Sequence, residues 1–349
     1  MFFKVIIQNL DGSLMWNVPV NSWSFTEELN KDKSANFNFS AQVVQQIGQT
    51  FGQSPDVIFS GGYREIYILN EDGDRIYGGY ITETNDSKGS DGAETLTIPS
   101  KGFFSLLYKR FTNKKTDYTK RIYSGEFATD IAWDLVNYTQ GLPFGDLGIT
   151  RGAHPDDVPN DRTYQYVRIK DAIEKLDNNN TKDGIDHEIT ADKVFNTYFP
   201  TKGTTRTGFE LKDGFNIDTY QIRKLFIDAM ANEVLTFGEG QGDDMIVSLQ
   251  TSVDSYKENF FLLQDGLSEK DTGVLDNLDR KGLKYLEQNQ APTRQISLNC
   301  QYENPTFGNY SVGDYIKVSI PNRDVGDYYR LRQRTLQSSG VVSLSFIPQ

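Results

Sequence analysis

The chain has 349 residues, 37% of them apolar and 13% aromatic, with 22 Phe and 19 Tyr; that ring content excludes a disordered chain, and the length calls for two or three packed units. Lys and Arg total 36 against 48 Asp and Glu, a net charge of -12, which disfavours a surface built to hold phosphate backbones or anionic lipid. A single cysteine, Cys300, excludes an internal disulfide, and no apolar run reaches the roughly 18 residues of a membrane-crossing helix.

The N-terminal run MFFKVIIQNLDGS lacks a basic leader and a small-residue cleavage site, so no secretion signal is read there. The Asn-x-Ser/Thr triplets at Asn38, Asn85, Asn137, Asn179 and Asn309 are accordingly read as chance. Residues 1–105 read as a meander of strands with one inserted helix. Phe2 to Ile7 is strand-like, Gly12 marks an Asp-Gly turn, and Ala35, Phe37 and Phe39 alternate with Asn36, Asn38 and Ser40. Val43, Val44 and Ile47 fit a short amphipathic helix with Ser40 as its N-cap. Arg64 to Leu69 and Arg75 to Asn85 flank the run Asn70 to Asp74, a hairpin signal, and Gly89 to Gly92 forms a loop before the strand Thr95 to Pro99.

Residues 106–183 change character. Phe103 to Phe111, Gly125 to Tyr138 and Ile169 to Leu176 carry apolar residues at helical spacing, and Gly141 to Asp161, with three prolines, reads as a long loop. Residues 184–349 return to strands: Ile185 to Tyr198, Asp244 to Thr251, Arg294 to Tyr302, Tyr315 to Ile320, Tyr328 to Leu336 and Val341 to Ile347. Leu225 to Phe237 fits helix or strand. Leu267 through Asn289 predicts an inserted helix, and turns are placed at Gly308, Gly313, Gly326 and Gly340. The fold class is therefore mainly β with α insertions, an α+β chain.

No constellation of catalytic chemistry emerges. His154 and His187 are the only histidines and, with one cysteine, offer no zinc spacing. A triad would need one of them beside Asp156 or Asp186 and a nucleophile motif, and none is present; both read as ordinary loop or surface residues. Asn70 to Asp74 lacks the ligand order of a calcium loop. Gly238 to Gly242 lacks the following helix and the Lys-Ser/Thr of a phosphate loop. The abundance of carboxylates makes a glycosidase pair unreadable. Tyr198-Phe199, Phe260-Phe261 and Tyr328-Tyr329 read as core or subunit interface before saccharide platforms. No catalytic, metal or cofactor-binding residue is assigned, no cofactor is expected, and the chain is read as no enzyme.

The final third carries a resemblance. Tyr256-Lys257-Glu258, the helix with Leu275, Leu278, Leu283 and Leu286, then Arg294 to Leu298, Tyr310 to Val318, and Tyr329-Arg330-Leu331 with Gln333 resemble in order and separation the end of bacteriophage tail hub proteins. Trp23 to Leu29 followed by Ala35 to Phe39 resembles the first domain of that family. The resemblance covers most of the chain in outline and is weakest over 106–183.

It implies a fold similar to baseplate hub subunits, with two tube-like β-barrel domains (1–105 and 184–349) and a helical/mixed domain (106–183) between them. In a trimer, two such domains per chain form a pseudo-sixfold ring that matches a hexameric tail tube. The implied partners are further copies of the chain as a homotrimer, the distal tail and tape-measure proteins, and tail fibre or spike proteins. DNA is met only in passing through the channel, and no stable membrane association is implied. The implied place is the tail tip of a virion. Many family members continue into a lytic or fibre extension; this sequence stops at Gln349, so no catalytic residue is carried over. The alternatives are a distal tail or receptor-binding module for host saccharide, and a cell-wall hydrolase.

Overall fold

The computed structural model describes residues 3–13, 15–59, 64–90, 92–113, 120–226, 230–253, 261–270, 272–304 and 306–347. In chain order the first part holds β1 (Lys4–Asn9), β2 (Met15–Val18), β3 (Ser22–Glu28), β4 (Ser34–Ser40), α1 (Ala41–Phe51), α2 (Pro55–Phe59), β5 (Arg64–Leu69), β6 (Arg75–Ile81), β7 (Asn85–Lys88) and β8 (Glu94–Gly102). A middle part follows: β9 (Arg121–Phe127), α3 (Ala128–Gln140), β10 (Thr150–Arg151), β11 (Pro159–Tyr164), α4 (Ile169–Glu174), β12 (Asp186–Ile189) and β13 (Val194–Tyr198). The remainder comprises β14 (Thr205–Lys212), β15 (Thr219–Leu225), β16 (Glu233–Phe237), β17 (Val247–Thr251), β18 (Gln264–Ser268), α5 (Leu275–Asn289), β19 (Thr293–Gln301), β20 (Tyr315–Ile320), β21 (Val325–Gln337) and β22 (Val341–Ile347).

The two ends of the chain share one sheet of 14 strands, whose main path runs β15-β19-β22-β21-β3-β4-β8-β6-β5-β1-β2. The joint is β21 against β3, from Gln333 opposite Glu28 to Gln337 opposite Ser24. β21 is long enough to serve two neighbours on that edge. Its first half pairs with β20, its second half with β3, and an irregularity between Leu331 and Gln333 marks the transfer. Alternation decides which face is buried: Trp23, Phe25, Phe37 and Phe39 point inward with Ile296, Leu298, Leu336, Leu344 and Phe346, in a single core fed by both ends of the chain. Phe25 meets Tyr77 at 5.7 Å and Phe307 edge-on at 6.1 Å, so rings supply much of that core.

The barrels expected from the resemblance are not closed within one chain. Among the described residues the strand path ends at β2 and β15, because the β3–β21 pairing merges the two β units edge to edge before either curls shut. A second core, from Phe103 to Phe195 with Tyr67 of β5 joining it, is built by α3 and α4 against β12 and β13 and runs past residue 183. Residues Ala231, Val234 and Leu286 form a third, small cluster between α5 and the sheet β17-β16-β18.

Several elements lie as the periodicity predicts; others start elsewhere. Ser40 caps α1 by accepting from the Val43 N–H at 3.4 Å, so Ser40→Ala is expected to lower stability by about 1 kcal/mol in chemical denaturation. β20 and β22 match their predicted spans. The predicted helix from Leu267 begins only at Leu275: Leu267 and Ser268 instead end β18 (Gln264–Ser268), parallel to β16, and Gly273 stands between the two elements. Gly125 belongs to β9 with φ +66°, and α3 starts after it, at Ala128. The long loop 141–161 contains β10 and the start of β11, while Phe103–Lys109 is a 3-10 helix. Gly326 lies inside β21 and turns nothing. Leu225 to Phe237 resolves into the end of β15 and β16, with 227–229 outside the described residues.

Candidate functional site

The most concentrated chemistry lies where the three parts of the chain meet. Asp186, at the start of β12, is fully buried; its Oδ1 accepts from Asn30 Nδ2 at 2.8 Å and its Oδ2 from the Lys202 backbone N–H at 2.6 Å and from the Arg330 guanidinium. Asn30, held at φ +59° after β3, also accepts the His187 N–H at 2.9 Å. Arg330 reaches the carbonyls of Lys202 and Gly313 as well. A second ring adjoins: Glu27 pairs with Lys33 at 2.9 Å and Arg334 at 2.8 Å, while Glu188 pairs with Lys202 at 2.8 Å and Lys33 at 3.6 Å. Burial alone would raise the Glu27 carboxyl, but Lys33, Arg334 and Lys202 outweigh it and hold it well below the usual carboxylate range. Each carboxylate thus finds cations from other parts of the chain, and the cluster ties β3, β12 and β21 together.

His187 is buried beside this cluster, its ring centroid 4.7 Å from that of Phe104. Its Nε2 lies 3.9 Å from Asp177 Oδ2, and neither atom has a hydrogen-bond partner. Burial pushes His187 down to about 4 from an ordinary 6.5. Burial likewise pushes Asp177 up to about 8 from 3.8, although its Oδ1 accepts from the Asn179 and Asn180 backbones and from Asn180 Nδ2. A histidine so depressed gives stability above pH 6.5 that is lost as pH falls toward 4. A carboxyl so raised gives stability below 3.8 that is lost as pH rises toward 8.

The two slopes, each about 1.4 kcal/mol per pH unit, oppose one another between pH 4 and 6.5. Through these two groups wild-type stability is therefore expected to stay level down to about pH 4.5, near which the depressed Glu27 begins its own acid loss, whereas Asp177→Asn exposes the acid loss of His187 across the range. Urea midpoints at pH 4.5 and 6.5 check this; equal acid sensitivity in both proteins contradicts it.

The cavity lined by Glu27, Asn30, Lys33, Phe104, His187 and Glu188 measures about 10 Å³, space for no more than one water. His154 lies apart on an exposed loop with Nδ1 2.7 Å from the Gly152 carbonyl, so the two histidines do not share a site. Asn70 to Asp74 is the expected hairpin turn, with Asn70 Oδ1 accepting the Asp74 N–H at 2.8 Å and Gly73 at φ +89°. Gly238 to Gly242 is a turn that leads into a three-residue 3-10 helix, Gly242–Asp244. Among the described residues, no group of three or more His, Cys, Asp or Glu could hold a metal ion, and no helix is long and apolar enough to cross a membrane.

The aromatic pairs separate. Tyr329 is buried and Tyr328 half-buried on β21, Tyr198 and Phe199 are partly buried, Phe261 is exposed, and Phe260 and Tyr256 to Glu258 lie outside the described residues. Cys300 is buried on β19. The cluster around Asp186 is not legible from spacing, since Asp186 and Arg330 stand 144 positions apart. The one available signal is Arg330 inside the Tyr-Arg-Leu run of the resemblance.

No protein-family profile matches the chain, and no curated protein matches it in sequence. Solved structures do match in fold. A 43 kDa tail protein of prophage MuSo2 from Shewanella oneidensis aligns at TM-score 0.66 with 10% identity, covering 99% of this chain and 97% of that one. A tail protein from Neisseria meningitidis aligns at 0.63 with 13% identity, over 100% and 97%. An Escherichia coli component of the type VI secretion system, described as structurally similar to T4 bacteriophage tail proteins gp27 and gp5, aligns at 0.56 with 12% identity, over 100% and 77%. Over its full length, this chain has the fold of phage tail and baseplate-like proteins, in agreement with the resemblance read from its sequence.

Proposed function

We propose that the chain is a structural hub subunit of a phage or phage-like tail, three copies of which form a ring that closes the distal end of the tail tube and anchors fibre or spike proteins. The observation that carries this reading is one sheet fed by both ends of the chain and open at both ends of its path, β2 and β15, within a fold shared end to end with tail proteins. An unpaired strand edge invites another strand, and a closed ring of identical heterologous contacts satisfies every such edge at once. Copies of the chain would complete the two tube-like rims that one chain leaves open.

On this reading, 1–105 and 184–349 supply the rims and 106–183 the outer mass. The distal tail and tape-measure proteins are neighbours, DNA passes without being held, and the protein works at the tail tip of the virion without enzymatic activity. Light scattering with electron microscopy of purified protein tests it: rings of three copies are expected, and a stable monomer at tens of micromolar overturns the reading.

A further inference from the structure

The small sheet β17-β16-β18 leaves an edge and a face uncovered, and the two meet at β17. α5 covers the other face, where Ser248 Oγ and Gln250 Nε2 donate to Asp279 Oδ1 at 2.6 and 3.0 Å. Register puts Val247 opposite Phe237, and Leu249 opposite Leu235 with Gly266 beyond it, on the side turned away from the helix. These side chains are left to solvent: Val247 is 41% and Leu249 54% exposed. Val253 and Phe261, which flank Asn232 at one end of the sheet, reach 64% and 77%.

The backbone of β17 is open along the same side. Ser252 N–H donates to the Asn232 carbonyl at 2.9 Å and Gly238 N–H to the Ile246 carbonyl at 2.7 Å. Hydrogen-bonded and non-bonded positions alternate in an antiparallel pair, so the even-numbered residues bond to β16 and the N–H and C=O groups of Val247, Leu249 and Thr251 point to the outer edge. Among the described residues β17 pairs with β16 alone. Exposed edges are commonly guarded by charge or proline. β15 carries Arg223 and Lys224 and β18 carries Asp265, whereas β17 has no charged residue and no proline.

Charge selects the kind of strand that fits. Across 231–253 and 261–268 the charged side chains are Glu233, Glu239, Asp243, Asp244 and Asp265, all acidic, and Asp279 stands over Ser248 and Gln250. A second copy of the chain would bring the same carboxylates to the shared edge, which opposes self-pairing. The complement is a strand with apolar residues beside Val247 and Leu249 and basic residues, at the alternate positions, toward Asp279.

We infer that the open edge of β17 accepts an extended segment of another protein, alternating apolar residues with Lys or Arg, as a fourth strand of this sheet. The outward N–H and C=O groups of Val247, Leu249 and Thr251 hold its backbone, and its apolar side chains shield the face that α5 leaves bare. The site is apart from the β2 and β15 edges on which the ring reading rests, so neither stands or falls with the other.

Capped peptides tested on the full chain by fluorescence anisotropy decide it. The probe is Lys-Val-Lys-Val-Lys-Val-Lys, compared with one form N-methylated on its valines, one N-methylated on its lysines, and a counterpart with Glu for every Lys. A strand turns alternate N–H groups to its neighbour, so one methylated form is expected to lose binding and the other to keep it. The same response to both forms, or no binding of the unmodified probe at about 1 mM, overturns the inference. The Glu counterpart is expected to bind at least about tenfold more weakly at low salt, and equal binding overturns the basic character of the partner. Thr251→Pro removes one outward N–H while the Ser252 bond to Asn232 stays in place, and it is expected to weaken the probe by at least about tenfold. Unchanged affinity in a folded Thr251→Pro variant contradicts the edge assignment, and if that variant does not fold the methylated pair decides alone.

Discussion

Asp186→Ala is expected to lower the stability of the chain by about 3–5 kcal/mol, because it strips a buried arginine of its counter-ion. Asp186 accepts from Asn30 on the β3 side, from the Lys202 backbone and from Arg330 on β21. Removing it leaves the Asn30 amide, the Lys202 N–H and the Arg330 guanidinium without their shared buried acceptor, and an unsatisfied buried donor forfeits its full hydration. Arg330→Met removes the other charge and strands the carboxylate, so it belongs in the same range.

The double variant Asp186→Ala with Arg330→Met leaves no unpaired ion, and its loss is expected to be smaller than the sum of the two single losses. Denaturation followed by tryptophan fluorescence reads all of these changes. A single-variant loss below about 1 kcal/mol would show that the cluster is solvated and does not bind the three parts of the chain together.

That cluster also marks the limit of what the sequence discloses. Local rules work where the cause is local. Phe37 and Phe39 alternate with Asn36 and Asn38 because one face of β4 is buried. Ser40 caps α1 because the free N–H of Val43 lies three residues on, and β20 and β22 follow from their own period of two. What is not legible depends on partners distant in sequence. The merging of the two β units rests on β21 leaving β20 for β3, some three hundred residues away by chain, and no window of either strand encodes that choice. Leu267 and Ser268, the end of β18, read as helix because Leu267 fits the apolar pattern of α5, whereas their conformation is set by parallel pairing with β16. The solvent-facing row Thr219, Asn299, Ser343, Thr335, Thr26 and Ser34 is visible in the sequence only as scattered Ser, Thr and Asn; it takes the register of six strands to bring them side by side.

Gly313→Val is expected to cost about 3–5 kcal/mol, the sum of a β-branched residue forced into positive φ and an overpacked backbone contact. Gly313 has φ +102°, and a Cβ there would stand 2.7 Å from the Lys202 carbonyl oxygen. The opposing Gly203, at φ +94°, lies equally close: a Cβ on it would come within 2.3 Å of the Gly313 carbonyl carbon. Two backbones therefore cross without side chains at the turn into β20, and Asp314 fixes that crossing by accepting the N–H groups of Thr204 and Ser311, each at 2.8 Å. The same carbonyls at Gly313 and Lys202 receive Arg330, so a displaced turn also loosens the cluster around Asp186. Gly326 supplies the comparison. Its sequence context reads as a turn, as that of Gly313 does, yet it lies within β21, outside the left-handed region, and a Cβ added to it would meet no atom within 4 Å. Gly326→Ala is expected to stay within about 0.5 kcal/mol of wild type, and the contrast between the two variants in soluble yield and denaturation midpoint separates a requirement for that backbone crossing from a general intolerance of glycine replacement.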